Sequence, residues 1–267
     1  MMDNISIAMT FKNRANYLDV KLAQLLEMDY DLKKIEICIT DGYSEDDVLA
    51  VIERYYRRFY QIKYAISDRS VLPPQPWRHS MNVYDMNAQI CNQVTFEKVI
   101  RTDPEVLFTN KNQIKRISDT LNQKGVIIFH PNIYIKKGYV YDGNWEESRF
   151  RNVAEKMYDD ISNTMMCFNR SDFISNGGYD ERYALGYAGE DTYFVQWYKK
   201  NKRVIKLGFV CHLYHETSCA PGHGELNVQY TWPLYNKMME NNEFPNAGNL
   251  DWKRPEMLKD ERLFIDG

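Results

Sequence analysis

The sequence contains no apolar run of the length a membrane-spanning helix requires. Its opening passes almost at once into Ile5-Ser6-Ile7-Ala8-Met9, too short and too uncharged at its start for a secretory leader. The expectation is a cytosolic protein, with peripheral contact at a membrane left open. Positive charge is not in excess either, since 34 Lys and Arg stand against 37 Asp and Glu, a net charge of −3. The basic residues are scattered, with only Lys33-Lys34 and Arg54, Arg57 and Arg58 locally dense. That distribution excludes a phosphate-tracking stripe, and with it a nucleic-acid partner. Cysteine is sparse and odd in number. Cys38, Cys91, Cys167, Cys211 and Cys219 are too widely spaced for a disulfide frame or a zinc site. Cys38, Cys167 and Cys211 lie in apolar, strand-like runs and read as reduced core thiols. There is no internal repeat and no linker, so the 267 residues read as one domain with a C-terminal extension.

What is present first is an alternation of strand and helix. Ile5 to Met9 reads as a strand, Asn16 to Glu27 as a helix with Leu18, Leu22, Leu25 and Leu26 on one side. Ile35 to Ile39 is a second strand ended by Asp41-Gly42. Ser44 is placed to cap the next helix, with Asp46 and Asp47 in its first turn. Ile62 to Ile66 is a third strand, the proline-rich stretch from Leu72 to Trp77 a loop, and Met81 to Cys91 a helix. Phe96 to Arg101 is a fourth strand. This βαβαβ order predicts a mostly parallel sheet with helices on both faces. Ligands of such sheets sit beyond the carboxyl ends of the strands, where Asn13, Asp41 and Asp103 fall.

The second half is less regular. Asn110 to Leu121 reads as a helix, Val126 to Ile135 as a long strand, and Tyr139 to Asn152 as a loop over the sheet. Thr164 to Phe168 is a strand, and a helix follows Gly189-Glu190-Asp191 to about Lys200. Short apolar runs at 204–207 and 209–214 precede a Gly-, Pro- and Asn-rich tail around one helix, about Leu226 to Glu240. Trp232, Met238 and Met239 in that tail are expected in the domain's own core, with a membrane or partner contact as the alternative.

The most telling local feature is Asp103-Pro104-Glu105 at the end of the fourth strand. Proline cannot continue a sheet ladder, so Pro104 stops the strand and leaves two carboxylates one residue apart. Carboxylates so held suit a hard divalent cation with positions open to phosphate oxygens. A solvated acidic turn is the plain alternative. Asp41, beside Gly42, is able to accept from a base imide or to close a turn before the helix. Thr10, Lys12, Asn13 and Arg14 lie where ribose or phosphate would come, though Lys12 and Arg14 equally suit a solvated helix start.

Several segments together resemble family 2 glycosyltransferases. Ile5-Ser6-Ile7-Ala8-Met9-Thr10-Phe11-Lys12-Asn13-Arg14 is similar to their opening strand, and Ile39-Thr40-Asp41-Gly42-Tyr43-Ser44 to their second. Trp77-Arg78-His79-Ser80 with Asn87 resembles the segment before the metal strand, and Asp103-Pro104-Glu105 stands at the Asp-x-Asp position. Gly177-Gly178-Tyr179-Asp180-Glu181 and Gly189-Glu190-Asp191 resemble the acceptor-side motif of galactosyltransferases and chondroitin-type polymerases. The matches run in order from Ile5 to about His215.

The resemblance implies a GT-A fold over residues 1–216, its nucleotide-binding half at about 1–108 and its acceptor half at about 109–216. Residues 217–267 would be a C-terminal helical and loop extension packed on the same domain. It implies a nucleotide-sugar donor, UDP-linked, contacted by Thr10, Phe11, Asn13, Arg14, Asp41, Arg78, Asn87, Thr102 and Asp103. It also implies manganese or magnesium on Asp103, Glu105 and a late histidine, His212 or His215. Strand alternation puts those two histidines on opposite faces, so one is expected to coordinate. A glycan or glycolipid hydroxyl would be the acceptor, with Asp191 as general base of an inverting transfer and Glu190 orienting the acceptor. Asp180 and Glu181 are expected to fix their loop. Trp145, Tyr183, Tyr187 and Trp232 are candidate sugar-stacking rings, and His223 a residue of a closing loop. Glutamate as the second acid and proline between are departures from the family pattern. They keep a catalytically silent sugar- or nucleotide-binding scaffold as one rival. A sugar nucleotidyltransferase is the other, although Thr10 to Arg14 contains no glycine for a phosphate loop. Self-association into a homo-oligomer stays open.

Overall fold

Along the first strand, β1 (Ile5–Phe11), Ile5, Ile7, Met9 and Phe11 enter one apolar cluster while Ala8 enters another on the opposite face. Every residue of β1 is buried, as is every residue of β2 (Ile35–Asp41) and β4 (Lys98–Thr102). Strands buried on both faces need helices above and below, and their apolar runs are continuous for that reason. The computed structural model describes residues 2–68, 70, 83–140, 143, 146–185, 189–216, 227–246 and 252–265.

One face is covered by α1 (Ala15–Leu25), α2 (Val48–Tyr55) and α4 (Gln113–Thr120), through Leu18, Leu22, Leu25, Val51, Ile52, Ile114 and Ile117. The other carries α3 (Val83–Ala88) and α7 (Glu190–Asn201), through Met86, Phe194, Trp197 and Tyr198. Two short helices, α5 (Glu147–Asn152) and α6 (Arg170–Ser175), flank the long strand β7 (Ala154–Asn169). The remaining strands are β3 (Gln61–Ser67), β5 (Val106–Phe108), β6 (Val126–Ile135), β8 (Arg203–Lys206), β9 (Val210–His212) and β10 (Leu258–Phe264).

Among the described residues the sheet has ten strands in the order β10-β3-β2-β1-β4-β7-β6-β9-β5, with β8 also paired to β6. The run β3-β2-β1-β4 is parallel throughout, with Ile5 opposite both Ile35 and Lys98. Beyond β4 the sheet is mixed: β7 is antiparallel to β4 and β6, while β8 and β9 run parallel to β6. The sheet, expected to be mostly parallel, is thus parallel in its first half and mixed beyond it. β6 is parallel to β4, so its C-terminal half extends on the side where β1, β2 and β4 end.

Several elements differ from expectation. Ser44 does not cap α2. Asp47 does, accepting from Ala50 N at 3.0 Å, while Asp46 accepts from Ala15 N at 2.7 Å and fastens the start of α1. The helix expected to run to Cys91 gives way at Gln89 to a wider turn through Gln93, letting Gln89 Nε2 donate to Met9 O and Cys38 O inside the sheet. β7 begins ten residues before the expected Thr164, and α5 interrupts the expected loop.

The tail adds a short helix, α8 (Trp232–Asn241), and β10. Met238 is fully buried, as expected of it, while Trp232 is 44% exposed. β10 pairs antiparallel with β3 at one sheet edge, held also by an ion pair between Lys259 and Asp68. At the opposite edge β5 is closed by α1: Gln24 Nε2 donates to Phe108 O and Gln24 Oε1 accepts from Phe108 N, both at 3.0 Å. The buried Lys21 Nζ donates to Val106 O. Cys38, Cys91, Cys167 and Cys211 are free and buried. No helix among the described residues is long and apolar enough to cross a membrane.

Candidate active site

The site forms where β1, β2 and β4 end. Asn13 takes a left-handed conformation (φ 54°), which its short amide tolerates, and turns the chain from β1 into α1. Its backbone N donates to Ser44 Oγ at 2.8 Å and its Oδ1 accepts from Glu45 N at 2.8 Å, so Asn13 ties the two loops together. Asp41 is buried. Its Oδ1 accepts from Ser44 N at 2.9 Å and Ser44 Oγ at 2.6 Å, and its Oδ2 from the Tyr64 hydroxyl at 2.9 Å. The carboxylate therefore closes the turn, and its remaining lone pairs are what it has for a base. Thr10 Oγ1 is buried without a hydrogen-bond partner among the described residues. Phe11 packs its ring in the core, leaving only its backbone at the site.

After β4, Asp103 O accepts from Val106 N at 3.1 Å, a turn that carries Pro104 and Glu105 across to β5. β5 pairs with β9, placing Val106 opposite His212, and Leu213 N donates to Glu105 O at 3.0 Å. The ladder ends at His212, so alternation does not govern His215. The chain turns back, and the two imidazole centroids come within 5.2 Å. One ligand atom each from Glu105, His212 and His215 lies within 4.8 Å of the others. Opposite-face placement of the histidines is thus corrected: both reach one point.

Glu105 is 6% exposed. Its Oε1 is 3.0 Å from His215 Nε2, while Oε2 is buried with no hydrogen-bond partner among the described residues. Burial alone would raise its pKa, but the His215 hydrogen bond and the nearby imidazoles outweigh that and hold it below the ordinary value. His212 is shifted down, chiefly by burial, and its Nδ1 lies 3.0 Å from Leu213 O. Donation there leaves Nε2 as the bare ligand nitrogen. Tyr134 stacks on the His212 ring at 4.7 Å and fixes its plane. Arg14 reaches into the cluster, with Nη2 3.2 Å from His215 Nδ1 and Nε 3.9 Å from Glu105 Oε1.

Asp103 stands apart from that three-residue cluster. Its Oδ1 lies 3.1 Å from Arg101 Nη2, at ion-pair distance but off the line of a hydrogen bond. Burial, foremost, pushes its carboxyl up to about 6, against the pull of Arg101. Thr102 is fully buried, its hydroxyl near Asp103 O at 3.3 Å. Glu190 and Asp191 occupy the first turn of α7, behind Gly189. Gly189 has φ 107°, and a Cβ there would come within 2.3 Å of Thr231 Cγ2, so no side chain fits. Burial and then Asp191 raise the Glu190 carboxyl well above its ordinary value. Asp191 Oδ1 accepts from Thr192 N at 2.6 Å.

Other expected contacts have different work. Asn87 donates to Tyr179 O at 2.8 Å and accepts from Tyr179 N at 3.0 Å, so its whole amide clamps the Gly177-Gly178-Tyr179 turn. Asp180 accepts from Arg182 Nε and Nη2, both at 2.9 Å, and from Asn246 N at 2.8 Å; Glu181 pairs with Arg254 at 3.1 Å. Both acids fasten the loop. Tyr183 is a core ring, 2% exposed. Arg78, Trp145, Tyr187 and His223 lie outside the described residues. Sequence reasoning did not single out Arg101, Lys21 or Tyr134. Their signals were weak, since each looks like an ordinary strand or helix residue.

The model of glycosyl transferase family 2 matches residues 6–71, the stretch that holds β1 to β3. Among curated proteins, no sequence match is found. Solved structures do resemble the chain. S. aureus TarS residues 1–349, in complex with UDP-GlcNAc, is 16% identical with a TM-score of 0.54, over 80% of this chain and 60% of that one. The mannosyltransferase PcManGT from Pyrobaculum calidifontis, in complex with GDP-Man and Mn2+, is 14% identical with a TM-score of 0.58, over 96% and 70%. The chain spans 60% of the length of the TarS fragment. The fold is the GT-A fold, a mixed α/β sheet between helical layers.

Proposed function

We propose that the protein is a cation-dependent glycosyltransferase that moves a sugar from a nucleotide-diphosphate donor, UDP-linked, to a hydroxyl of a glycan or glycolipid. The observation that carries this reading is the convergence of Glu105, His212 and His215 where the parallel strands end. The donor set fits a divalent cation: Glu105 Oε2 is an orphaned buried oxygen, and His212 offers a bare nitrogen. Two imidazoles with one carboxylate suit manganese better than magnesium, which prefers oxygen alone. Glu105, His212 and His215 would hold that cation, which when bound supplies positive charge beside a departing diphosphate.

The chain's own groups account for the rest. Thr10, Asn13 and Asp41 line the end of β1 and β2, where the nucleoside belongs. Arg14, already against Glu105 and His215, is placed to meet a phosphate oxygen. Asp191 takes the proton from the acceptor hydroxyl, and transfer proceeds with inversion. Glu190, with its carboxyl raised by burial, stays protonated and donates to the acceptor. The solved neighbours' complexes with UDP-GlcNAc and GDP-Man support a nucleotide-sugar donor.

The test is diphosphate release from a panel of UDP-, GDP- and dTDP-sugars with manganese, with and without EDTA. Release that EDTA abolishes is expected. No turnover together with no manganese-dependent nucleotide binding would make the protein a silent scaffold. Pyrophosphate release from a nucleoside triphosphate and a sugar phosphate would make it a nucleotidyltransferase.

A further inference from the structure

Arg101 precedes the last residue of β4, between Ala8 of β1 and Met166 of β7. Its side chain shares a sheet face with Val99, the face on which α3 and α7 pack. A guanidinium there, 7% exposed, is costly to keep charged. Its Nη2 lies 3.1 Å from Asp103 Oδ1 and 3.3 Å from Met86 Sδ. Burial works against its charge, yet Asp103 foremost, with Asp191 and Glu190 at the start of α7, raises its pKa above the ordinary value.

We infer that Arg101 is a positioning residue: one buried guanidinium, 3.1 Å from Asp103 and 3.3 Å from Met86, that orients the Asp103 carboxylate at the donor side. This rests on the glycosyltransferase reading and adds to it a residue that fixes a carboxylate at the end of β4. Arg101 is not one of the Glu105–His212–His215 cluster. Its loss strands the Asp103 carboxylate rather than removing a ligand of that cluster.

The experiment uses the full chain with Arg101→Met, Arg101→Lys and the double variant Arg101→Met/Asp103→Asn. In Arg101→Met, kcat for donor turnover falls by about 30-fold or more, while manganese-dependent UDP binding stays within about threefold. Arg101→Lys keeps the charge without the fork and recovers at least about tenfold of that loss. A second readout needs no turnover: Arg101→Met lowers the melting temperature by about 5 °C or more, and adding Asp103→Asn restores over half. Unchanged kcat in Arg101→Met, or a melting loss that Asp103→Asn does not restore, overturns the inference. Absence of donor turnover in the unmodified protein would instead refute the functional reading, and the melting pair would still decide the Arg101–Asp103 relationship.

Discussion

His215 Nε2 lies 3.0 Å from Glu105 Oε1, and that contact folds the segment after β9 over the end of β4. That contact leaves Glu105 Oε2 as the oxygen without a hydrogen bond among the described residues, and either partner's loss should be felt in cation affinity. Glu105→Gln and His215→Ala are each expected to weaken manganese binding by about 10-fold or more. Electron paramagnetic resonance of free manganese measures this, and unchanged affinity in both variants would remove them from the site.

Asp191→Asn removes the proposed base while leaving the cation cluster intact. Transfer to acceptor should fall by about 100-fold or more, with UDP affinity within about threefold of the unmodified protein. Isothermal titration with UDP and manganese, beside a transfer assay, separates the two. Lost UDP binding would place Asp191 on the donor instead.

Gln24 satisfies both backbone groups of Phe108 at the edge of β5, the strand that follows Glu105. Gln24→Leu leaves a buried N–H and C=O without partners, a loss of about 2–4 kcal/mol. A lower denaturation midpoint at unchanged slope is expected. A midpoint equal to that of the unmodified protein would mean water or backbone movement satisfies the edge.

His130 is fully buried, and burial lowers its pKa from 6.5 to about 4. As pH falls through 6.5, the unfolded chain takes up a proton that the folded protein accepts only near 4. Stability present above 6.5 is therefore lost across that window, by up to about 3 kcal/mol. Urea midpoints from pH 7 to 4 should fall less steeply in His130→Gln. Equal slopes in both proteins would contradict the assignment.

Much of this architecture was readable in advance, for physical reasons. The buried parallel strands announce themselves as continuous apolar runs, and β6 occupies 126–135 as its composition indicates. The turn that carries Asp103 and Glu105 was legible because proline must end a ladder there, but of the two acids only Glu105 joins the histidines. β10 was not, because an edge strand carrying Lys259, Asp260, Glu261 and Arg262, with a register shift between Lys259 and Arg262 and Asp260 at φ 49°, shows no alternation. Nor was the meeting of His212 and His215, which depends on where a three-residue strand stops. Arg101 was hidden because a strand arginine ordinarily faces water, and the packing of α3 and α7 buries it.

The most direct measurement is a crystal structure with manganese and UDP, recorded with anomalous scattering. The account predicts a peak within coordination distance of Glu105, His212 and His215, beside the diphosphate. A peak elsewhere, or UDP bound with no peak at those three residues, would contradict it.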